Sequence, residues 1–109
     1  FAGAGASNLG IFDAAQQAGR FAIGVDSNQN PLAPGTILTS MLKRVDVAVL
    51  TALDDARAGR WTPGHLSLGL AEDAVGWALD EHNEALIPRA VRDAVEAARQ
   101  RLIAQPPPR

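Results

Sequence analysis

The apolar run Phe21-Ala-Ile-Gly-Val25 stops abruptly at Asp26-Ser-Asn-Gln29, an acid followed by a hydroxyl and side-chain amides. A run this short, bounded by polar residues, has the length of a buried strand. If it is one, Asp26 lies at its carboxyl end, the edge where open α/β sheets hold their ligands. Asp26 is therefore the first candidate binding residue. Its residue type suits the capping of a turn equally well.

What surrounds that run decides whether such a sheet can form. Upstream, Phe1 to Ala6 is small and glycine-rich and leads into a segment where Ile11, Ala14, Ala15 and Ala18 recur at helical spacing. Gly19 suits the helix C-terminus, and Ser7 or Asn8 is expected to cap its start. A helix opened by a glycine loop around Gly5 turns free N–H groups and a positive dipole end toward whatever lies in front, which suits a phosphate or sugar oxygen. A tight turn accounts for the same glycines. Gly3, Gly5 and Gly10 do not fit the G-x-G-x-x-G dinucleotide spacing, and no Lys-Ser/Thr follows as a phosphate-binding P-loop requires.

Downstream, Asn30-Pro-Leu-Ala-Pro-Gly35 reads as a loop. Asp26-x-Asn28-x-Asn30 imitates the start of a calcium loop, but Pro31 and Ile37 occupy the positions that need glycine and glutamate, so calcium is rejected. Thr36 to Leu42 alternates as a second strand, with Lys43 and Arg44 at its carboxyl end. Then the period lengthens, and Val45, Ala48, Val49, Ala52, Leu53 and Ala56 predict an amphipathic helix packed on the sheet and ending near Gly59. Strands alternating with helices predict an α/β fold of parallel βαβ construction. Asp26 and Lys43 then share one rim. A lone lysine is usually a solvated charge, but on that rim Lys43 becomes a second candidate ligand contact.

In the remainder, His65 to Leu70 alternates like a strand, and Val75 to Leu79 is expected as a hairpin partner or short edge strand. Trp61 and Trp77 suit core or cover, and His65 and His82 lie at no metal-ligand spacing. Pro88 is expected to open the last helix, with Val91, Ala94, Val95, Ala98, Leu102 and Ile103 as its buried stripe. Residues 1–105 are expected to form one lobe, and residues 106–109 a proline-rich tail.

Several function classes are disfavoured. Ten basic against twelve acidic residues, a net charge of -2 and no clustered basic face leave little attraction for nucleic acid. Without cysteine there is no disulfide and no thiolate chemistry, and no apolar run approaches the ~20 residues of a membrane span. No serine sits in G-x-S-x-G, there is no H-E-x-x-H, and no histidine has an evident nucleophile partner. We therefore expect no catalytic residue, no metal and no cofactor. Beginning at Phe1, without an initiator Met or a signal-peptide layout, the sequence reads as a piece of something longer.

Four ordered blocks then carry a resemblance: Ala4-Gly-Ala-Ser-Asn-Leu-Gly-Ile-Phe12, Ala22-Ile-Gly-Val-Asp-Ser-Asn-Gln29, Ile37-Leu-Thr-Ser-Met-Leu-Lys-Arg-Val-Asp-Val-Ala-Val49, and Leu68-Gly-Leu70 with Val75-Gly76. In order they resemble the C-terminal part of the BMP/PnrA-like substrate-binding lipoproteins. The resemblance implies the second lobe, incomplete, of a type I periplasmic binding protein. It implies a non-catalytic component of an ABC importer that holds purine nucleosides between two lobes. The implied partners are the transporter permease and a missing N-terminal lobe. The implied location is the periplasm or the outer face of the membrane, through a lipidated N-terminus. Carried across, it puts Asp26 on the ribose hydroxyls, Lys43 near the same sugar or the base, and Phe1, ahead of the glycine loop, in a stack on the purine. Asn28 departs from the family where a second acid is common, and Leu50 where a Tyr is frequent. Two other readings compete: a ligand-sensing lobe of a transcriptional regulator of the same fold, and a fragment of a nucleoside-acting enzyme.

Overall fold

The computed structural model describes residue 1 and residues 3–105. After a single 3-10 turn at Gly5–Ser7 come helix α1 (Asn8–Gln17), strand β1 (Ala22–Gly24) and strand β2 (Ile37–Lys43). Helix α2 (Val45–Arg57), strand β3 (Val75–Trp77) and helix α3 (Arg89–Ala104) complete the order. The sheet runs β1-β2-β3, with β1 parallel and β3 antiparallel to β2.

Each local choice has a cause in the sequence. α1 ends where Gly19 takes φ 60°, so that Gly19 N–H reaches Gln16 C=O and Arg20 N–H reaches Ala15 C=O, closing carbonyls the helix leaves open. α2 ends the same way at Gly59. β1 and β2 are joined without an α-helix: residues 25–36 cross over as a loop with one 3-10 turn at Asn30–Leu32, about the dozen residues a parallel connection needs. Phe12 and Ile37, 3% and 0% exposed, pack with Ala22 and Ala33 between α1 and the parallel pair.

Four expectations are corrected. Residues 65–70 form no strand; Gly69 N–H and C=O instead bond Glu72 Oε2 and Ala74 N–H, curling the segment into turns. The helix cap expected of Ser7 or Asn8 makes no side-chain bond to the helix, because Asn8 Oδ1 reaches back to Ala4 N–H at 3.2 Å. Pro88 stands just before α3, as its N-cap. The apolar stripes of α2 and α3 are not buried by the described residues: neither helix holds a buried residue, and Val45, Val49, Leu53, Val91 and Leu102 are exposed. A three-stranded sheet is too small to cover both. The proline tail expected at residues 106–109 lies outside the described residues.

Candidate functional site

β1 and β2 end side by side. Just beyond β1 the chain reverses at Asp26, whose φ is 70°, and Ser27 N–H closes onto Val25 C=O at 2.9 Å. This is a γ-turn of the positive-φ kind, the rarer and more strained of the two. A non-glycine residue there is uncommon, although Asp tolerates it better than most. Lys43 N–H donates to Asp26 C=O at 2.8 Å, so the ends of the parallel strands are stitched together at these two residues. Both side chains are exposed, and neither forms an ion pair among the described residues. Asp26 is therefore no buried turn cap; its carboxylate stands free on the rim.

The other two candidates lie across from this pair in sequence. Gly5 takes φ 57° in the turn that opens α1, with open space where a side chain would stand. Phe1 is 74% exposed, and no hydrogen bond among the described residues ties it to Asp26 or Lys43. Among the described residues, side-chain hydrogen bonds join the Gly5 turn to the Asp26 turn through Asn8 and Gln29, neither of them expected in that role.

These two belong to a polar network beneath the rim, buried at Asn8, Asn30, Ser40 and Asn83 and reaching the surface at Asn28. Gln29 Oε1 accepts Val25 N–H at 2.9 Å and Asn8 Nδ2 at 3.4 Å, while Gln29 N–H donates to Ser40 Oγ at 3.0 Å. Ser40 Oγ donates in turn to Asn30 Oδ1 at 2.8 Å. Asn30 Nδ2 donates to Asp80 Oδ2 at 3.1 Å, and Asn28 Nδ2 donates to the same oxygen at 2.6 Å. Asn83, wholly buried, fixes the other end by accepting Asp80 N–H and donating to Leu38 C=O and Ala78 C=O. Among the described residues no buried side-chain nitrogen or oxygen lacks a partner, the condition under which such a network rigidifies a fold. The sequence offered one signal, the run of amides after Asp26. Its partner Asp80 lies far along the chain and could not be paired with it by spacing.

The network also gives Asn28 its reason. A second acid at that position would meet the Asp80 carboxylate at the distance where Asn28 now donates, so an amide fits here. Asp80 is half-buried and its pKa is lowered, chiefly by the Asn28 hydrogen bond, against some desolvation, with help from His82 N–H and Asn30. A carboxylate with a depressed folded pKa stabilises above its unfolded value and loses that contribution as pH falls through the folded one. Acid melts between about pH 5 and pH 3 will therefore show stability falling more steeply for the natural protein than for Asn28→Ala. Equal slopes would remove the Asn28–Asp80 bond from the account.

Asp80, Glu81 and His82 also bring their ligand atoms within 4.8 Å of one another. The Asp80 oxygens are already taken by Asn28, Asn30 and His82 N–H, so this carboxylate serves the network.

A three-stranded α/β sheet with one parallel pair, flanked by three helices, is part of a lobe of the periplasmic-binding-protein kind. Over residues 1–104 the sequence matches the family described as ABC transporter substrate-binding protein PnrA-like (Bmp), and the chain belongs to that family. It is 44% identical over 84 residues to a lipoprotein of Pyrococcus furiosus, covering 71% of this chain and 21% of that protein. It is 36% identical over 86 residues to basic membrane protein D of Borreliella burgdorferi, covering 75% of this chain and 25% of that protein. The chain thus spans a fifth to a quarter of the length of these relatives. A solved structure of ABC transporter system solute-binding proteins from Aeropyrum pernix is 38% identical with a TM-score of 0.60, covering 88% of this chain and 26% of that one. A transcriptional activator of the comK gene from Bacillus halodurans is 25% identical with a TM-score of 0.79, covering 93% and 35%.

Proposed function

We propose that this chain is the sugar-grasping part of one lobe of a two-lobed receptor that delivers purine nucleosides to an ABC importer. The observation that carries the reading is Asp26: an exposed, unpaired carboxylate held in a strained γ-turn beside Lys43 on the ligand rim. Backbone strain of this kind persists where the surroundings over-determine it, and it clusters at ligand clamps. An ionised carboxylate has two acceptor oxygens and takes both hydroxyls of a cis-diol in charge-assisted hydrogen bonds. Lys43 supplies donors to the same sugar or the base, Gly5 opens a turn with room for close approach, and the exposed ring of Phe1 offers a face for stacking on the purine. The nucleoside itself comes from the family resemblance. Placement outside the cytoplasmic membrane is supported by the Pyrococcus relatives named as lipoproteins.

Such a receptor closes its lobes on the ligand by hinge motion, so one lobe offers part of the contacts. Calorimetric titration with adenosine and guanosine will show binding by the full-length parent and weak or no binding by residues 1–109 alone. Tight binding by the isolated chain would contradict the two-lobe reading, and no binding by the parent would sink the nucleoside. The structural likeness to a transcriptional activator favours a second reading, a ligand-sensing lobe of a regulator. Retention of DNA by the full-length parent would select it. Release of free base from inosine would select an enzyme.

A further inference from the structure

The Asp26 turn and the Gly5 turn are contributed by separate parts of the chain, yet one pair of side chains, buried Asn8 and half-buried Gln29, spans them. Asn8, 2% exposed, accepts Ala4 N–H with Oδ1 and so clasps the glycine turn, while its Nδ2 donates to Gln29 Oε1. The same Gln29 oxygen accepts Val25 N–H, and Val25 C=O is the acceptor that closes the γ-turn around Asp26. Gln29 is anchored in its turn by Ser40, itself 0% exposed. The path from the glycine turn to the Asp26 turn therefore runs Ala4, Asn8, Gln29, Val25, with one side-chain bond between two sections of chain.

We propose that Asn8 and Gln29 are positioning residues: a strut that sets the distance and angle between the glycine turn and the Asp26 carboxylate, so that a ligand spanning both meets a pre-arranged site. The proposal rests on the nucleoside reading for the identity of that ligand. Asn8 is buried and Gln29 half-buried, and the side-chain oxygens of both accept main-chain N–H groups, so the pair acts through the turns it joins. The donor–acceptor distance of 3.4 Å between Asn8 and Gln29 is the longest in this path and beyond the usual range for an N–H···O bond. Holding binding groups in place before the ligand arrives lowers the ordering cost of binding, which is where such a strut acts.

The test uses the full-length parent. Asn8→Ser is too short to reach Gln29, whereas Gln29→Glu keeps an acceptor for both Val25 N–H and Asn8. Amide hydrogen exchange at Val25 and Ser27 will quicken in Asn8→Ser although the substitution lies far away in sequence. Asn8→Ser gives up both the bond from Ala4 N–H and the long bond to Gln29, and adenosine affinity will fall about five- to tenfold, the size of one net hydrogen-bond contribution. Gln29→Glu will bind adenosine within about twofold of the natural protein, a difference well under the energy of one hydrogen bond. Should Asn8→Ser not fold, Asn8→Asp carries the same test: it keeps the Ala4 acceptor but sets a carboxylate oxygen against Gln29 Oε1, so exchange at Val25 and Ser27 will quicken at least as much. Unchanged exchange at Val25 and Ser27, or an adenosine titration unaltered in a variant whose parent binds tightly, overturns the strut and leaves the nucleoside reading intact. A parent that binds neither adenosine nor guanosine overturns both.

Discussion

Replacing Asp26 by glycine in the full-length parent will give a protein that melts higher and binds its ligand worse. The two effects have separate origins. Asp26 sits at φ 70°, where an L-residue with a Cβ costs about 1–2 kcal/mol relative to the right-handed region. Glycine removes that cost and adds back about 0.4–1 kcal/mol of extra unfolded-state entropy, so the balance is a modest gain in stability. The hydrogen bonds that hold the turn are main-chain bonds, from Ser27 to Val25 and from Lys43 to Asp26, and survive the change. Binding loses the carboxylate, and charge-assisted bonds to a diol are worth about 2 kcal/mol or more, roughly thirtyfold in affinity. Asp26→Ala removes the same carboxylate but keeps a Cβ in the strained turn, so it should bind as poorly as the glycine variant without melting higher. Thermal melts without ligand and titration with adenosine check both arms. If the glycine variant melts markedly lower, the carboxylate was stabilising its own turn, and the capping role read from the sequence replaces the ligand role.

The sequence showed the rim but not what lies beneath it. A short apolar run ending in Asp26, and an alternating run ending in Lys43, were enough to place both residues at the carboxyl ends of neighbouring strands, because strand length and direction follow from local pattern and the parallel connection rule. The γ-turn was not legible. Nothing in Val25-Asp26-Ser27 demands a positive φ, and the bond that accompanies it, from Lys43 N–H to Asp26 C=O, comes from the next strand. The amide network was half visible: Asn28, Gln29 and Asn30 stood in a row, but their partners Ser40 and Asp80 are fixed by tertiary packing. The failure at residues 65–70 has a related cause. Alternation there suits a strand, yet Glu72 offers its side chain to Gly69 N–H, a local bond that competes with a strand ladder for the same donor. For α2 and α3 the periodicity was read correctly as helix, while the cover it called for is not provided by the described residues.

Gly24 is where the network and the sheet meet, and Gly24→Ala is expected to cost about 2–3 kcal/mol, the upper range for forcing one added methyl into a packed interior. A Cβ at Gly24 would stand 2.5 Å from Ser40 Oγ, 2.9 Å from Gln29 Cβ and 3.1 Å from Gln29 Oε1. Backbone conformation is not the obstacle, since Gly24 is absent from the positive-φ glycines. The obstacle is that neither neighbour can yield cheaply. Ser40 Oγ is held between Gln29 N–H and Asn30 Oδ1, and Gln29 Oε1 between Val25 N–H and Asn8 Nδ2. Moving either one orphans a buried polar group, which costs about as much as the overlap it relieves. The core offers little to offset this, because among the described residues Phe12, Val25, Ile37 and Ile87 are its only buried hydrophobic side chains larger than alanine. The double variant Gly24→Ala/Ser40→Gly separates overlap from polar loss: removing Oγ clears the nearest contact, so its melting point should lie above the sum of the single effects. Strict additivity in denaturant melts of the parent would mean that the space above Gly24 is not the constraint, and that the strand tolerates a side chain where Ser40 and Gln29 now meet.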